Sequence, residues 1–226
     1  MRTKLILSVF FLFMGICITV GQNEEKDWAQ FDKYAQANKE VKQPVKVVFM
    51  GNSITEGWYY HDPDFFKNNN YVGRGISGQV TSQMLTRFRA DVINLKPKAV
   101  VILAGINDIA LNNGYISIEH VFDNIISMRE LAKANKIKVV LCSVLPANYF
   151  PWREELNPVD AVGKLNEMIK TYALKNKIPY VDYYKAMVDE KSGLDIRYQH
   201  DEVHPNLAGY KLMEEVVQKE LKKVVK

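Results

Sequence analysis

Apolar residues gather in four short runs, at 45–50, 99–103, 137–144 and 178–181, each flanked by turn residues such as Pro44, Gly51, Gly105, Pro146 and Asn176. Each run is short and apolar on both faces, the pattern of a strand buried inside a parallel sheet. A fifth, weaker run lies at 71–75. Between the runs, apolar positions recur at helical spacing over about 80–95, 118–135, 160–176 and 206–225. The last of these follows Pro205 and carries Leu207, Tyr210, Leu212, Met213, Val216 and Val217. A polar lead-in at 27–44, with Trp28, Phe31 and Tyr34 at helical spacing, predicts a further helix. Strand alternating with helix predicts an α/β fold, about five parallel strands covered on both faces through right-handed crossovers. No repeat, low-complexity tract or Pro/Ser-rich linker interrupts the pattern, so residues 22–226 read as a single domain.

The first 21 residues do not fit this alternation. Arg2 and Lys4 precede an apolar stretch from Leu5 to about Val20, and the chain turns polar at Gln22-Asn23-Glu24-Glu25-Lys26. That order predicts a secretory signal peptide over 1–21 and a secreted or periplasmic product. The rival is a membrane anchor, for which the stretch is short and interrupted by Ser8, Gly15 and Thr19. Lipid attachment at Cys17 is disfavoured by Ile16, which stands where a small residue is expected. Once the leader is cleaved only Cys142 remains, which excludes an intramolecular disulfide. The domain must then rely on its core, and 226 residues with 47% hydrophobic content suffice for one. A formal charge of +4 with dispersed lysines gives no basic stripe for nucleic acid. The densest basic run, 219–226, complements the dipole at a helix end.

In an open parallel sheet, ligands bind beyond the carboxyl ends of the strands, so the residues after each run are the ones to inspect. After the first comes Gly51-Asn52-Ser53-Ile54-Thr55-Glu56-Gly57. A serine at such a strand-to-helix turn can present its hydroxyl to a base and its N–H to an oxyanion. Taken alone, Ser53 reads more readily as a helix N-cap. Thr55 rules out the G-x-S-x-G elbow. Gly73-Arg74-Gly75-Ile76-Ser77-Gly78 follows next, matching neither nucleotide-loop pattern. Then comes Ala104-Gly105-Ile106-Asn107-Asp108, where Asn107 offers either a neutral donor to an oxyanion or a turn-forming side chain. Near the end, Gln199-His200-Asp201-Glu202-Val203-His204-Pro205-Asn206 places an acid three residues before a histidine in a loop held out of helical geometry by Pro205. The acid can fold back on the imidazole and fix its tautomer. The competing possibility is a metal site using His200, Asp201 and His204, disfavoured because the pair does not share a helix and no further ligand cluster is evident. His61 and His120 read as surface or packing residues.

Together these blocks resemble, in order and spacing, the four blocks of the SGNH hydrolases (the GDSL esterase/lipase superfamily): Gly51-Asn52-Ser53, Gly78, Gly105-Ile106-Asn107-Asp108, and Asp201-Glu202-Val203-His204. The resemblance runs from about Lys46 to the last helix. It implies a three-layer α/β/α sandwich of the flavodoxin-like kind, hydrolysis of acyl or acetyl esters, no metal and no cofactor. Carried over, Ser53 is the nucleophile, His204 the base and Asp201 its partner. The N–H groups of Ser53 and Gly78 and the Asn107 side chain form the oxyanion hole. Asn52 departs from the name-giving pattern, which has Asp there.

The expected partner is a small-molecule or carbohydrate ester, with no role for nucleic acid and none for a membrane after the leader is removed. No long lid segment accompanies the motifs, which disfavours a long-chain lipase. Trp58, Tyr59, Tyr60, Tyr149, Phe150 and Trp152 are candidates for an aromatic platform, with Trp58, Tyr59, Tyr149 and Trp152 the substrate-binding set. Aromatic faces with polar tips suit sugars, which points to deacetylation of carbohydrates; simple packing is the alternative for half of them. Two other functions compete: a lysophospholipase or platelet-activating-factor-acetylhydrolase-like esterase, and a non-catalytic carbohydrate-binding module on the same fold.

Overall fold

The computed structural model describes residues 27–225. The expected signal peptide, Cys17 included, lies outside them. β1 (Val47–Gly51) is the second strand of a five-stranded, all-parallel sheet and is buried along its whole length. β2 (Tyr71–Gly75) flanks it on one side, and β3 (Ala99–Ile102), β4 (Lys138–Cys142) and β5 (Tyr180–Val181) follow on the other. The order β2-β1-β3-β4-β5 is that of a flavodoxin-like doubly wound sheet, with its switch point between β1 and β3. Val47 pairs with Tyr71 on one side and with Ala99 on the other, so the carboxyl ends of these three strands finish together.

α4 (Thr81–Asp91), α6 (Ile118–Ala134) and α7 (Val159–Lys175) pack side by side over one face, with α1 (Asp32–Glu40) against α4. Over the other lie α2 (Ser53–His61), α3 (Pro63–Asn69), α8 (Tyr183–Met187) and α9 (Leu207–Val224). The result is the three-layer α/β/α sandwich. The four long helices match the sequence pattern within a few residues. The exception is 80–95, where the α-helix stops at Asp91 and Ile93–Leu95 forms a 3-10 turn.

The sequence pattern did not resolve α2, α3, α8 or α5 (Ile106–Ile109), each nine residues or shorter. Local caps begin three of them. Asn52 Oδ1 accepts the Ile54 N–H (3.2 Å), Asp62 Oδ1 that of Phe65 (3.2 Å), and Asp182 Oδ1 that of Lys185 (3.0 Å). α4 is capped from a distance instead. Asp108, on α5, accepts the Thr81 N–H through both carboxylate oxygens (3.1 and 3.0 Å) and the Thr81 hydroxyl (2.6 Å). Burial pushes the Asp108 carboxyl up to about 6, against the opposing pull of the Thr81 hydrogen bonds.

Two aromatic expectations need correction. Trp58 is 1% exposed and belongs to the core. It stacks on Phe65 (5.1 Å) and meets Phe49 edge-on (5.4 Å), and its indole N–H bonds Glu214 (3.3 Å). Ile54 and Trp58, four residues apart on α2, turn the same face inward, away from any platform for substrate. Phe150 is likewise fully buried.

Trp58→Ala should destabilise the fold by about 3–5 kcal/mol in urea denaturation while leaving turnover per folded molecule unchanged. Reduced turnover in the folded variant would return Trp58 to the site. For Asp108 the folded-state value lies above the ordinary 3.8. Its contribution to stability is therefore present below 3.8 and lost as the pH rises through about 6. Between pH 4 and 7, Asp108→Asn should gain on wild type by roughly 2–3 kcal/mol in unfolding free energy. A difference that stays constant across that range would contradict the raised value.

Candidate active site

Ser53 is the first residue of α2, immediately past the carboxyl end of β1. The cap is Asn52 rather than Ser53, so the serine hydroxyl is not spent on the helix. It lies 2.9 Å from His204 Nε2, and His204 Nδ1 lies 2.9 and 2.8 Å from the two oxygens of Asp201. With Nδ1–H directed at the carboxylate, Nε2 is the lone-pair nitrogen and faces the serine hydroxyl. Asp201 also accepts the main-chain N–H of His204 (2.8 Å). The fold-back is made by Glu202, which sits in the left-handed region at φ 70°. The His200 N–H closes the loop on the His204 carbonyl (2.8 Å). Burial alone would raise the Asp201 carboxyl. The hydrogen bonds from the His204 N–H and imidazole outweigh it and hold the carboxyl below its ordinary value.

The two other predicted blocks converge on the same edge. Gly78 has φ 77°, open to glycine at little cost, and nothing lies within 4 Å of where a Cβ would stand. Gly105, at φ 119°, turns the chain into α5 and sets Asn107 on its second position. Asn107 is 3% exposed and donates one Nδ2 hydrogen to the Gln79 carbonyl (3.0 Å). The amide has a second hydrogen, and it remains for another acceptor.

Several residues that sequence reasoning did not single out hold this arrangement. Glu56 accepts both the N–H (2.7 Å) and the hydroxyl (2.6 Å) of Ser77, tying α2 to the loop that carries Gly78, and pairs with Lys33 from α1 (2.6 Å). Burial tends to raise the Glu56 carboxyl; Lys33 and Ser77 bring it below its ordinary value. The Tyr210 hydroxyl, from α9, donates to the Ile54 carbonyl (3.0 Å) and supports the first turn of α2 from below. The only local signal for Glu56 was its place within the serine block.

Ser53 and His204 open into a cleft of about 490 Å³, lined also by Lys33, Glu56, Tyr60, His61, Ser77 and His200. Pro205 and Tyr210 also line it, and no Val, Leu, Ile or Met side chain is among its lining residues. A larger concavity of about 1140 Å³ lies between Asn148 and Glu202, and it contains neither Ser53 nor His204. Of the predicted aromatic platform, Trp152 reaches the site. It is 42% exposed, stacks on Phe150 (5.3 Å), hydrogen-bonds Asn112 (3.1 Å), and its ring centroid is 6.3 Å from that of His204. Tyr59 lines a separate hollow with Tyr34 and Arg74, on the β2 side of α2. Tyr149 lines the larger concavity. The side of a helix or loop on which each ring emerges separates these two from the cleft. Tyr60 and His61 do border it, the histidine contrary to its expected role at the surface or in packing.

Both ring nitrogens of His204 are engaged, by Asp201 and Ser53. Among the described residues no group of three or more His, Cys, Asp or Glu side chains is placed to hold a metal ion. None of the described helices is long and apolar enough to cross a membrane.

Comparison with known proteins bears on the family and the fold. Residues 49–212 match the GDSL-like Lipase/Acylhydrolase family. A crystal structure of a Bacteroides fragilis protein assigned as an acylhydrolase is 50% identical, covers 89% of this chain and 100% of its own, and superposes with a TM-score of 0.87. A GDSL-like lipase from Bacteroides thetaiotaomicron is 53% identical over 86% of this chain and 98% of its own, with a TM-score of 0.83. The Bacillus subtilis protein named uncharacterized lipoprotein YqeF is 30% identical over 179 residues, 65% of this chain and 74% of the relative. Membership of this family sets aside the non-catalytic binding module. The chain belongs to the GDSL-like lipase/acylhydrolase family and is a carboxylic ester hydrolase.

Proposed function

We propose that this hydrolase removes short acyl groups, acetyl above all, from carbohydrate esters through a serine mechanism. The observation that carries the mechanism is the unbroken chain from Ser53 Oγ through the His204 imidazole to the Asp201 carboxylate. His204 takes the Ser53 proton as the hydroxyl oxygen attacks the ester carbonyl. The Ser53 and Gly78 N–H groups and the second Asn107 amide hydrogen receive the oxyanion, with the N-terminal end of α2 adding its dipole. The tetrahedral intermediate collapses, the alkoxide leaves with the proton from His204, and the acyl group stays on Ser53. Water then gives a proton to His204 and attacks the acyl-serine. The second collapse frees the carboxylic acid and returns the proton to Ser53. Asp201 stays ionised throughout and stabilises the imidazolium.

The cleft itself argues for the substrate class. Its lining holds Pro205 but no Val, Leu, Ile or Met side chain of the kind a long acyl chain would be buried against, which favours a small acyl group. Its rim of Lys33, Glu56, His61 and His200 offers hydrogen bonds to hydroxyl groups, and the half-exposed Trp152 offers a flat face beside His204. That pairing suits a sugar ring. We take the chain to be exported by cleavage of its first 21 residues, leaving residues 22–226 as one catalytic domain outside the cytoplasm.

Hydrolysis of p-nitrophenyl acetate, butyrate and octanoate by wild type and Ser53→Ala tests both parts. The rate should fall from acetate to octanoate, and Ser53→Ala should lower kcat by at least about 10³-fold. Acetate release from acetylated oligosaccharides is the confirming assay. A preference for octanoate would replace the carbohydrate assignment with a lipid ester, and activity indifferent to Ser53 would end the serine mechanism.

A further inference from the structure

Arg87 lies on α4 with its side chain wholly buried, and its guanidinium serves four acceptors. Nη2 donates to the Gly51 carbonyl (3.0 Å), Nη1 to the Arg74 carbonyl (3.1 Å) and to Asp91 Oδ2 (2.8 Å), and Nε to Gln79 Oε1 (2.6 Å). Gly51 is the last residue of β1, two before Ser53, and Arg74 is the penultimate residue of β2. Gln79 directly follows Gly78. Its side-chain amide donates to the Ala29 carbonyl (2.8 Å), and its own carbonyl accepts the Asn107 amide (3.0 Å). Each oxyanion donor assigned above therefore stands within two residues, or one hydrogen bond, of a group that Arg87 or Gln79 holds.

We propose that Arg87, acting through Gln79, is the positioning residue that sets the three oxyanion donors relative to one another. The inference rests on the oxyanion assignment under the proposed function. The donors come from three loops after three strands, and sheet pairing has ended before each of them. They are useful only if all three point at one oxygen within about 2.7–3.1 Å. A planar guanidinium with five N–H groups fixes directions as well as distances, which the single-point charge of a lysine does not. Stability alone gives little reason for the group, since a buried ion pair is commonly replaceable by apolar side chains without loss. Its other acceptors, the ends of β1 and β2 and Gln79, all lead toward the site.

The test is a mutant cycle on p-nitrophenyl acetate, with competent sites counted by organophosphonate titration so that misfolded enzyme drops out. Gln79→Leu should lower kcat per titrated site by roughly tenfold or more, with KM within about twofold of wild type. Placed in an Asn107→Ala background, the same change should cost clearly less than in the wild-type background, because one of the three donors it positions is already gone while Ser53 and Gly78 remain. Gln79→Glu keeps an acceptor for Arg87 Nε and should recover most of the lost kcat. Arg87→Lys should mimic Gln79→Leu; should it not fold, the Gln79 cycle decides alone. Equal losses from Gln79→Leu in both backgrounds, or a wild-type kcat in that variant, overturn the proposal. A wild-type kcat in Asn107→Ala overturns the oxyanion assignment itself and this inference with it, and the two failures are read from different variants.

Discussion

The register of β1 between β2 and β3 is the constraint from which the rest of the molecule follows. Gly51 pairs with Gly75, and Met50 pairs with both Arg74 and Ile102, so three carboxyl ends stop at one level. The chain then delivers Ser53, Gly78 and Asn107 from adjacent loops at the point where the strand order reverses. A slip of one residue would turn every side chain of β1 to the opposite face. Phe49 would leave the aromatic cluster of Trp58, Phe65, Phe66 and Tyr71, and Ser53 would leave its place opposite His204. The same packing thus fixes the core and aims Ser53 at His204.

Sheet pairing alone does not finish the site, because the functional groups lie beyond the last paired residues. What holds the loops is a set of buried or half-buried polar side chains bound to main chain. Glu56 grips Ser77, Gln79 and Arg87 tie together the ends of β1 and β2, and Asp108 holds Thr81. Such groups add little net stability apiece and are expensive when left unpaired. They make the loops well defined at the risk of a sharp penalty for any single loss. The His204 loop adds other devices to the same kind of contact, which Asp201 makes to the His204 N–H. Its turn comes also from one left-handed residue, Glu202, and from Asn206, which caps α9 through the Gly209 N–H (2.9 Å).

The strands were legible because burial on both faces leaves an unmixed apolar run, and the long helices because about three to five turns make a clear period. Short helices such as α3 and α8 depend on a single cap and a tertiary contact, so neither leaves a period to read. The candidate site was legible in its chemistry-bearing residues, since loops after parallel strands are where such residues must fall. Trp58, Tyr59, Tyr149 and Phe150 were misplaced for an opposite reason. Their type says nothing about which side of a helix or loop they occupy, although Ile54 and Trp58 at four-residue spacing on α2 pointed inward. Arg87 and Asp91 left a similar trace: they share the buried face of α4 with Met84 and Phe88, where a charged pair is out of place unless it has work to do. Gln79 left none, because its importance lies in a carbonyl and in a partner 28 residues away.

Asn52 bears on the electrostatics of the same corner. It is 1% exposed and accepts the Ile54 N–H, which completes the first turn of α2 without bringing a charge. An aspartate in that position would make the same bond and place a full negative charge beside the positive end of the helix. That charge would draw on the dipole which the proposed mechanism directs at a developing oxyanion at Ser53. A neutral cap leaves the dipole available, so the negative charges near Ser53 are those already committed elsewhere, Asp201 to His204 and Glu56 to Lys33 and Ser77. The departure from the name-giving motif at this position is thus compatible with the chemistry it borders. Its effect falls on the local field and not on the path of the proton.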